Sequence, residues 1–326
     1  MSPNQQNLEE TGLFRPVGSY LGIPQTRNLT GAKAAIIGLP FDAGGHPRRV
    51  GARLGPAAIR AMSTDMVRHY RPDVAADRDP IRDLALVDVG DVQVVHGDAE
   101  TSLDRMERAI GMVVDAGVIP IGLGGDGMVS VPAMAALGQR HQGLAVIHLD
   151  SHTDAYPEPD GANAVDLNPA TTFAYAVQRG FIDPHASIHF GLRGSAYVPG
   201  VFAHAEALGY HVLPITAVDS DGMAAVVESI RGVVGDRPTF LCFDMDVFDP
   251  ATAPGVFTPA WGGLTAREGL ALLRGLSGLN LVGFDVNTTT PTFDVHGQTA
   301  WLAATVVLEF CHLALATPRL SGAPGD

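Results

Sequence analysis

Eight short apolar runs rich in β-branched residues alternate with helical stretches along most of the chain. No other feature narrows the fold as much. The runs are AAIIGLPF, LALVDVG, GVIPIGLGG, GLAVIHLD, SIHFGLRG, YHVLPI, TFLCFDMD and LVGFDV. Between most of them lie stretches such as LDRMERAIGMVVDAG, VPAMAALGQRH, GMAAVVESIRGVVG and AREGLALLRGL, whose apolar residues recur every three or four positions. Strands joined by crossover helices run parallel, so the pattern predicts a largely parallel sheet covered by helices on both faces. No repeat or Ser/Gly-rich linker divides the chain. The expected organisation is a single domain over 31–317, preceded by a polar arm (1–30) and followed by a loosely held tail (318–326).

Composition removes several functions. The formal charge is −14 and no lysine/arginine cluster offsets it, which argues against binding a phosphate backbone. Cys242 and Cys311 are far apart in apolar segments and read as buried free thiols in a reducing compartment. The start, MSPNQQNLEETGLF, lacks the basic and apolar regions of a signal peptide. TAWLAATVVLEFCHLALA is long enough to cross a membrane, but Glu309 and His312 interrupt it, so it reads as a buried or subunit-facing helix. A cytoplasmic location, with no membrane or nucleic-acid partner, is expected.

In open parallel sheets, ligands bind beyond the carboxyl ends of the strands. The odd polar residues of this chain fall there, in IGLGGDG, HLDSHTD, CFDMDVFD and GFDVN. Asp150, His152 and Asp154 sit two residues apart, as do Asp244 and Asp246, and side chains at that spacing share one face of extended chain. Taken singly, such aspartates usually cap turns. Together, four carboxylates repel one another unless a cation or protons are taken up. The oxygen-rich set with a single imidazole suits Mn²⁺ or another borderline divalent ion.

The segments GLPFDAGGHPRRVGARLGPAAIR, DVGD, GLGGDGMVS, HLDSHTDAY, GLRG and FDMDVFDPATAPGVFTP occur in this order. From about Ile36 to Ala304 the chain thereby resembles the ureohydrolases, the arginase and agmatinase family, and is most similar to the agmatinase-like branch. The resemblance implies a three-layer α/β/α arginase-like fold with a central, mostly parallel, eight-stranded sheet, usually assembled as trimers or hexamers. It also implies a pair of Mn²⁺ ions (in some members Ni²⁺) that activate hydroxide to attack a guanidinium carbon and release urea. Asp150, His152, Asp154, Asp244 and Asp246 match five of the family's six metal ligands.

The sixth ligand does not match. The family pattern GGDHS reads GGDGMVS here, with Gly127 at the histidine. The family's HGT(M/P)F, whose histidine is proposed to shuttle protons, is NPATTF here, with Pro169 at that position. Its D-x-x-E-x-x-P, whose glutamate grips the guanidinium, is DVNTTTP, with Thr288 at the glutamate. TPEPGG becomes TPAWGG, with Ala260 and Trp261. A threonine cannot replace a charge-assisted bond worth roughly 1.5–3 kcal/mol.

Metal occupancy is accordingly expected to be partial or absent, and no catalytic residue is assigned. The combination resembles the two-chain hydrolases of guanidine-type compounds, such as the metformin hydrolases. That likeness implies a supporting subunit, inactive or weakly active alone, in a hetero-oligomer with an active ureohydrolase paralogue. The alternative is a self-sufficient amidinohydrolase of altered specificity, like agmatinases or guanidinobutyrases, with His46 or water filling the gap. A single-zinc deacetylase-like site at Asp150, His152 and Asp244 is a third reading, with nothing outside the metal centre behind it. His148 reads as a satisfied core histidine. Arg48, Arg49 and Arg53 read as partners of nearby carboxylates or as attractors of an anionic substrate. Trp261 reads as a pocket plug or a contact with a neighbouring chain.

Overall fold

The computed structural model describes residues 13–15, 18–66, 78–158 and 165–321. All eight expected runs form strands of one sheet, named here with a short edge strand that precedes them: β1 (Phe14–Arg15), β2 (Ala34–Gly38), β3 (Val87–Val92), β4 (Ile119–Leu123), β5 (Ala145–Leu149), β6 (Ile188–Leu192), β7 (His211–Pro214), β8 (Thr239–Asp244) and β9 (Leu281–Asn287). The spatial order is β1-β3-β2-β4-β9-β8-β5-β6-β7. Strands β2–β9 pair in parallel, and only β1 is antiparallel, on β3. Because the β strands are covered on both faces, their burial is nearly continuous rather than alternating.

Alternation along each strand sends side chains into two separate cores. Ile147, Leu149, Leu241 and Phe243 join one, against the helix Gln298–Ala316. Val146, Phe240 and Cys242 join the other, against the helices Ala99–Asp115 and Ser130–Gly138. The three-layer α/β/α architecture follows. Helix Gln298–Ala316, the apolar run once long enough to span a membrane, is a core helix: 78% of its most apolar window is buried, and Glu309 accepts from Arg274 at 2.7 and 3.0 Å.

The described parts of the arm and the tail make specific contacts with the domain. Leu13 and Tyr20 are buried, and Tyr20 donates its hydroxyl to Ala304 O at 2.8 Å and its backbone N–H to Asp88 at 2.9 Å. Tyr20 thus helps to anchor the arm, together with the Leu21 N–H, which donates to Ser63 Oγ at 2.7 Å. Residues 318–321 of the tail form a helical turn, with Arg319 donating to Gly117 O at 2.8 Å.

The DVGD segment has a structural task. Arg60, on the helix Gly55–Ser63, is 2% exposed and grips Asp88 through Nε (2.8 Å) and Nη2 (2.9 Å), while Nη1 reaches Asp91. This ion cluster pins the first helix to β3.

Candidate metal centre

Leu149 pairs with Phe243, so the residues that follow, Asp150 and Asp244, emerge side by side at the carboxyl ends of adjacent strands β5 and β8. After β5 the backbone turns sharply, with Asp154 at φ 44°, and after β8 a short helical turn carries Asp246. His152 Nδ1 lies 3.2 Å from Asp150 Oδ1 and 3.5 Å from Asp246 Oδ2. Ligand bonds of about 2.0–2.2 Å around one ion would separate neighbouring donors by such distances. Asp150, His152 and Asp246 form one possible ligand group, and His148, Asp150 and Asp154 another. All five sequence-predicted ligands therefore converge on one strand-end site.

The electrostatics call for a cation. Burial, reinforced by the charge of Asp150, pushes Asp246 up to about 8 and holds Asp154 well above the usual carboxylate range. Asp244 is raised for the same two reasons. Burial would raise Asp150 too, but hydrogen bonds with His148 and His152 hold it well below. The site thus favours the ionised form of one carboxylate and the protonated form of its neighbours, and a divalent ion would compete with those protons. Asp244 Oδ1 is buried without a hydrogen-bond partner, as a metal-facing oxygen would be. The donor set fits one ion at Asp150, His152 and Asp246. Beside Asp154 the fit is poorer, because Gly127, whose added Cβ would lie 3.0 Å from Asp154 Oδ2, has no side-chain donor to offer, and the nitrogen within reach is that of the deeper His148.

His46 does not fill that gap. Its Nδ1 already accepts the backbone N–H groups of Arg48 (3.1 Å) and Arg49 (2.8 Å), which tie up the imidazole in closing its own loop. No ligand group found among the described residues includes it. His46→Ala is therefore expected to leave divalent-ion affinity unchanged in calorimetric titration. A drop of tenfold or more would restore it as a ligand.

The other departures also have structural occupations. Pro169 opens a helical turn capped by Asn168 and stands against Gly45, closing the loop over the site. Thr288 is buried; its hydroxyl donates to Asn287 O (2.7 Å) and accepts from Met245 N (3.0 Å). Its φ of 66° is a left-handed conformation that a β-branched residue adopts only under strain. Arg49 donates to the carbonyls of Pro254 and Val256 rather than to a carboxylate and stacks over Phe293, while Arg53 stands 4.0 Å from Asp42. Trp261 is 75% exposed, so it does not plug the pocket of its own chain. Arg193 clamps its loop instead, donating to Ala260 O, Asp246 O and Phe248 O.

Behind the centre lies a row of polar residues that the motif reading overlooked. His189, His148, Cys242 and Asp285 are register neighbours on β6, β5, β8 and β9, and all are fully buried. His148 Nδ1 meets His189 Nδ1 at 2.8 Å, and Ser130 donates to Asp285 at 2.7 Å. The signal was present as single polar residues inside SIHFG, VIHLD, FLCFD and GFDVN, but only strand register shows that they align.

A model of the arginase family matches residues 32–312. Guanidinopropionase of Pseudomonas aeruginosa is 36% identical over 318 residues, which cover 97% of this chain and 98% of that protein. The mitochondrial agmatinase of Gallus gallus is 36% identical over 297 residues, covering 90% and 85% respectively. The crystal structure of a hypothetical agmatinase from Burkholderia thailandensis superposes with a TM-score of 0.84 at 34% identity, over 95% of this chain and 93% of that one.

Proposed function

Because the chain belongs to the arginase family, in its agmatinase- and guanidinopropionase-like branch, we propose that it is a metal-dependent amidinohydrolase for a guanidino-type compound, with a specificity altered from that of its relatives. The convergence of Asp150, His152 and Asp246 on one point carries this reading. A bound Mn²⁺ or Ni²⁺ would supply the Lewis acidity that makes water a nucleophile at neutral pH. The chain's own part is to hold the donors ready. The His152 backbone N–H donates to Asp150 Oδ1 at 2.8 Å, and its ring lies 3.0 Å from Ser151 Oγ, so carboxylate and imidazole are oriented in advance. Recognition is where the specificity changes. With Thr288 neutral and its hydroxyl occupied, a guanidinium finds no carboxylate at that position. The exposed Tyr197 ring, which packs 5.0 Å from the buried Tyr156 ring, could offer an aromatic face to a substituted cation instead.

A second reading rests on the three substitutions at Gly127, Pro169 and Thr288. In it the chain is the supporting subunit of a hetero-oligomer with an active relative, acting on a guanidine or biguanide.

One experiment separates the two. Divalent-ion binding and release of urea-type product are measured for the purified chain, alone and mixed with an active family member from the same source. Turnover by the chain alone, with His152→Ala lowering ion affinity ~10–100-fold or more, supports the first reading. Turnover only in the mixture, undisturbed by Asp150→Ala and Asp246→Ala in this chain, supports the second. A chain that binds no ion and leaves its relative's turnover unchanged overturns both.

A further inference from the structure

The polar row behind the centre holds a second set of donors that differs in kind from the outer one. On β5, His148 and Asp150 share a face, and on β8, Cys242 and Asp244 share the same face. Because His148 pairs with Cys242 in register, the four side chains form a two-by-two grid, one layer deeper in the sheet than His152 and Asp246. His148 Nε2 is 3.3 Å from Asp244 Oδ2 and 3.1 Å from Asp150 Oδ2, and Cys242 Sγ is 3.3 Å from Asp244 Oδ2. The donor atoms of His148, Cys242 and Asp244 all lie within 4.8 Å of one another, and all three residues are buried.

From this grid we infer a thiolate-containing site for a tetrahedral, thiophilic divalent ion such as Zn²⁺, held by His148, Cys242 and Asp244.

Three observations support the assignment. Zinc bonds of about 2.0–2.3 Å to nitrogen, oxygen and sulfur place tetrahedral donors roughly 3.3–3.6 Å apart, close to the separations found here. The two imidazole–carboxylate distances exceed the ~2.7–2.9 Å of a charge-assisted hydrogen bond, and one ring proton cannot serve two carboxylates equally. His189 meets the other ring nitrogen of His148 at 2.8 Å, the kind of outer contact that fixes the tautomer of a ligating histidine. The outer centre offers only nitrogen and oxygen, whereas the deeper one adds sulfur, so the two sites select different ions. The two sites adjoin, since His148 Nε2 of the deeper one is 3.1 Å from Asp150 Oδ2 of the outer one. This assignment stands independently of the hydrolytic reading.

The test uses the full-length chain, stripped of metal and titrated with Co²⁺. A sulfur-to-cobalt charge-transfer band saturating at one ion per chain is expected. It should vanish in Cys242→Ser and persist in Cys311→Ser. Zinc-edge X-ray absorption of the unmutated protein, which does not depend on any variant folding, should show one sulfur neighbour at about 2.3 Å. A native chain with no such band and only nitrogen and oxygen neighbours around zinc overturns the proposal. So does a band that survives Cys242→Ser.

Discussion

Gly127→His gains a divalent ion beside Asp154. In the native chain Gly127 brings no donor to that position, and adding an imidazole there is expected to raise Mn²⁺ affinity by ~10–100-fold, the range in which even an outer partner of a ligand counts. The backbone at Gly127 is not in the left-handed region, so a side chain is tolerated. The one tight contact for its Cβ is Asp154 Oδ2 at 3.0 Å, the free end of a side chain that can shift by a few tenths of an ångström. Calorimetric titration with metal analysis reads the gain as added ion per chain. Hydrolysis of simple guanidines should not rise with it, because Thr288 still supplies no carboxylate and Pro169 no proton-carrying group. If the variant binds no more metal than the native protein, the vacancy at Gly127 is not what limits the site.

Arg60→Leu is the substitution expected to cost most in stability. Arg60 is 2% exposed, and its guanidinium joins Asp88 and Asp91. Removing it takes a buried counter-charge away from both carboxylates, which costs on the order of 3–5 kcal/mol and lowers the melting temperature by roughly 5–10 °C. Arg60→Lys should fall in between, because a point charge cannot form the paired bonds of Nε and Nη2 to Asp88. Since Asp88 also receives the Tyr20 N–H at 2.9 Å, the loss should loosen the N-terminal arm as well, visible as faster amide exchange near Tyr20. Equal melting of the leucine variant and the native chain would show that the cluster carries no net stability.

The parallel sheet was legible because burial on both faces leaves strands as unbroken apolar runs, and the crossover helices keep their own period. The five candidate ligands stand out in the sequence because they sit at two-residue spacing where those runs stop. Three other features were hidden, each for a physical reason. The edge strand β1 is two residues long and carries no period. The anchoring of the arm involves a tyrosine whose partners, Asp88 and Ala304, are far away in sequence. The deeper donor grid depends on which residues of β5 and β8 stand opposite each other, and neither strand encodes that alone. His46 illustrates the converse. Its sequence neighbourhood made it a plausible substitute ligand, but the loop's own amides already occupy its Nδ1.

The two borders of the sheet are unlike. At one, β1 lies antiparallel on β3 and shields that strand's outer amides and carbonyls. At the other, β7 is only four residues long, is partly exposed and ends in Pro214, which has no amide proton to offer a newcomer. Growth of the sheet from molecule to molecule is limited at both described edges, by a two-residue strand on one flank and a proline-ended strand on the other. Any higher-order assembly of this protein should therefore be cemented by side chains on its helices and loops, with copies meeting surface to surface and no ribbon running from one to the next.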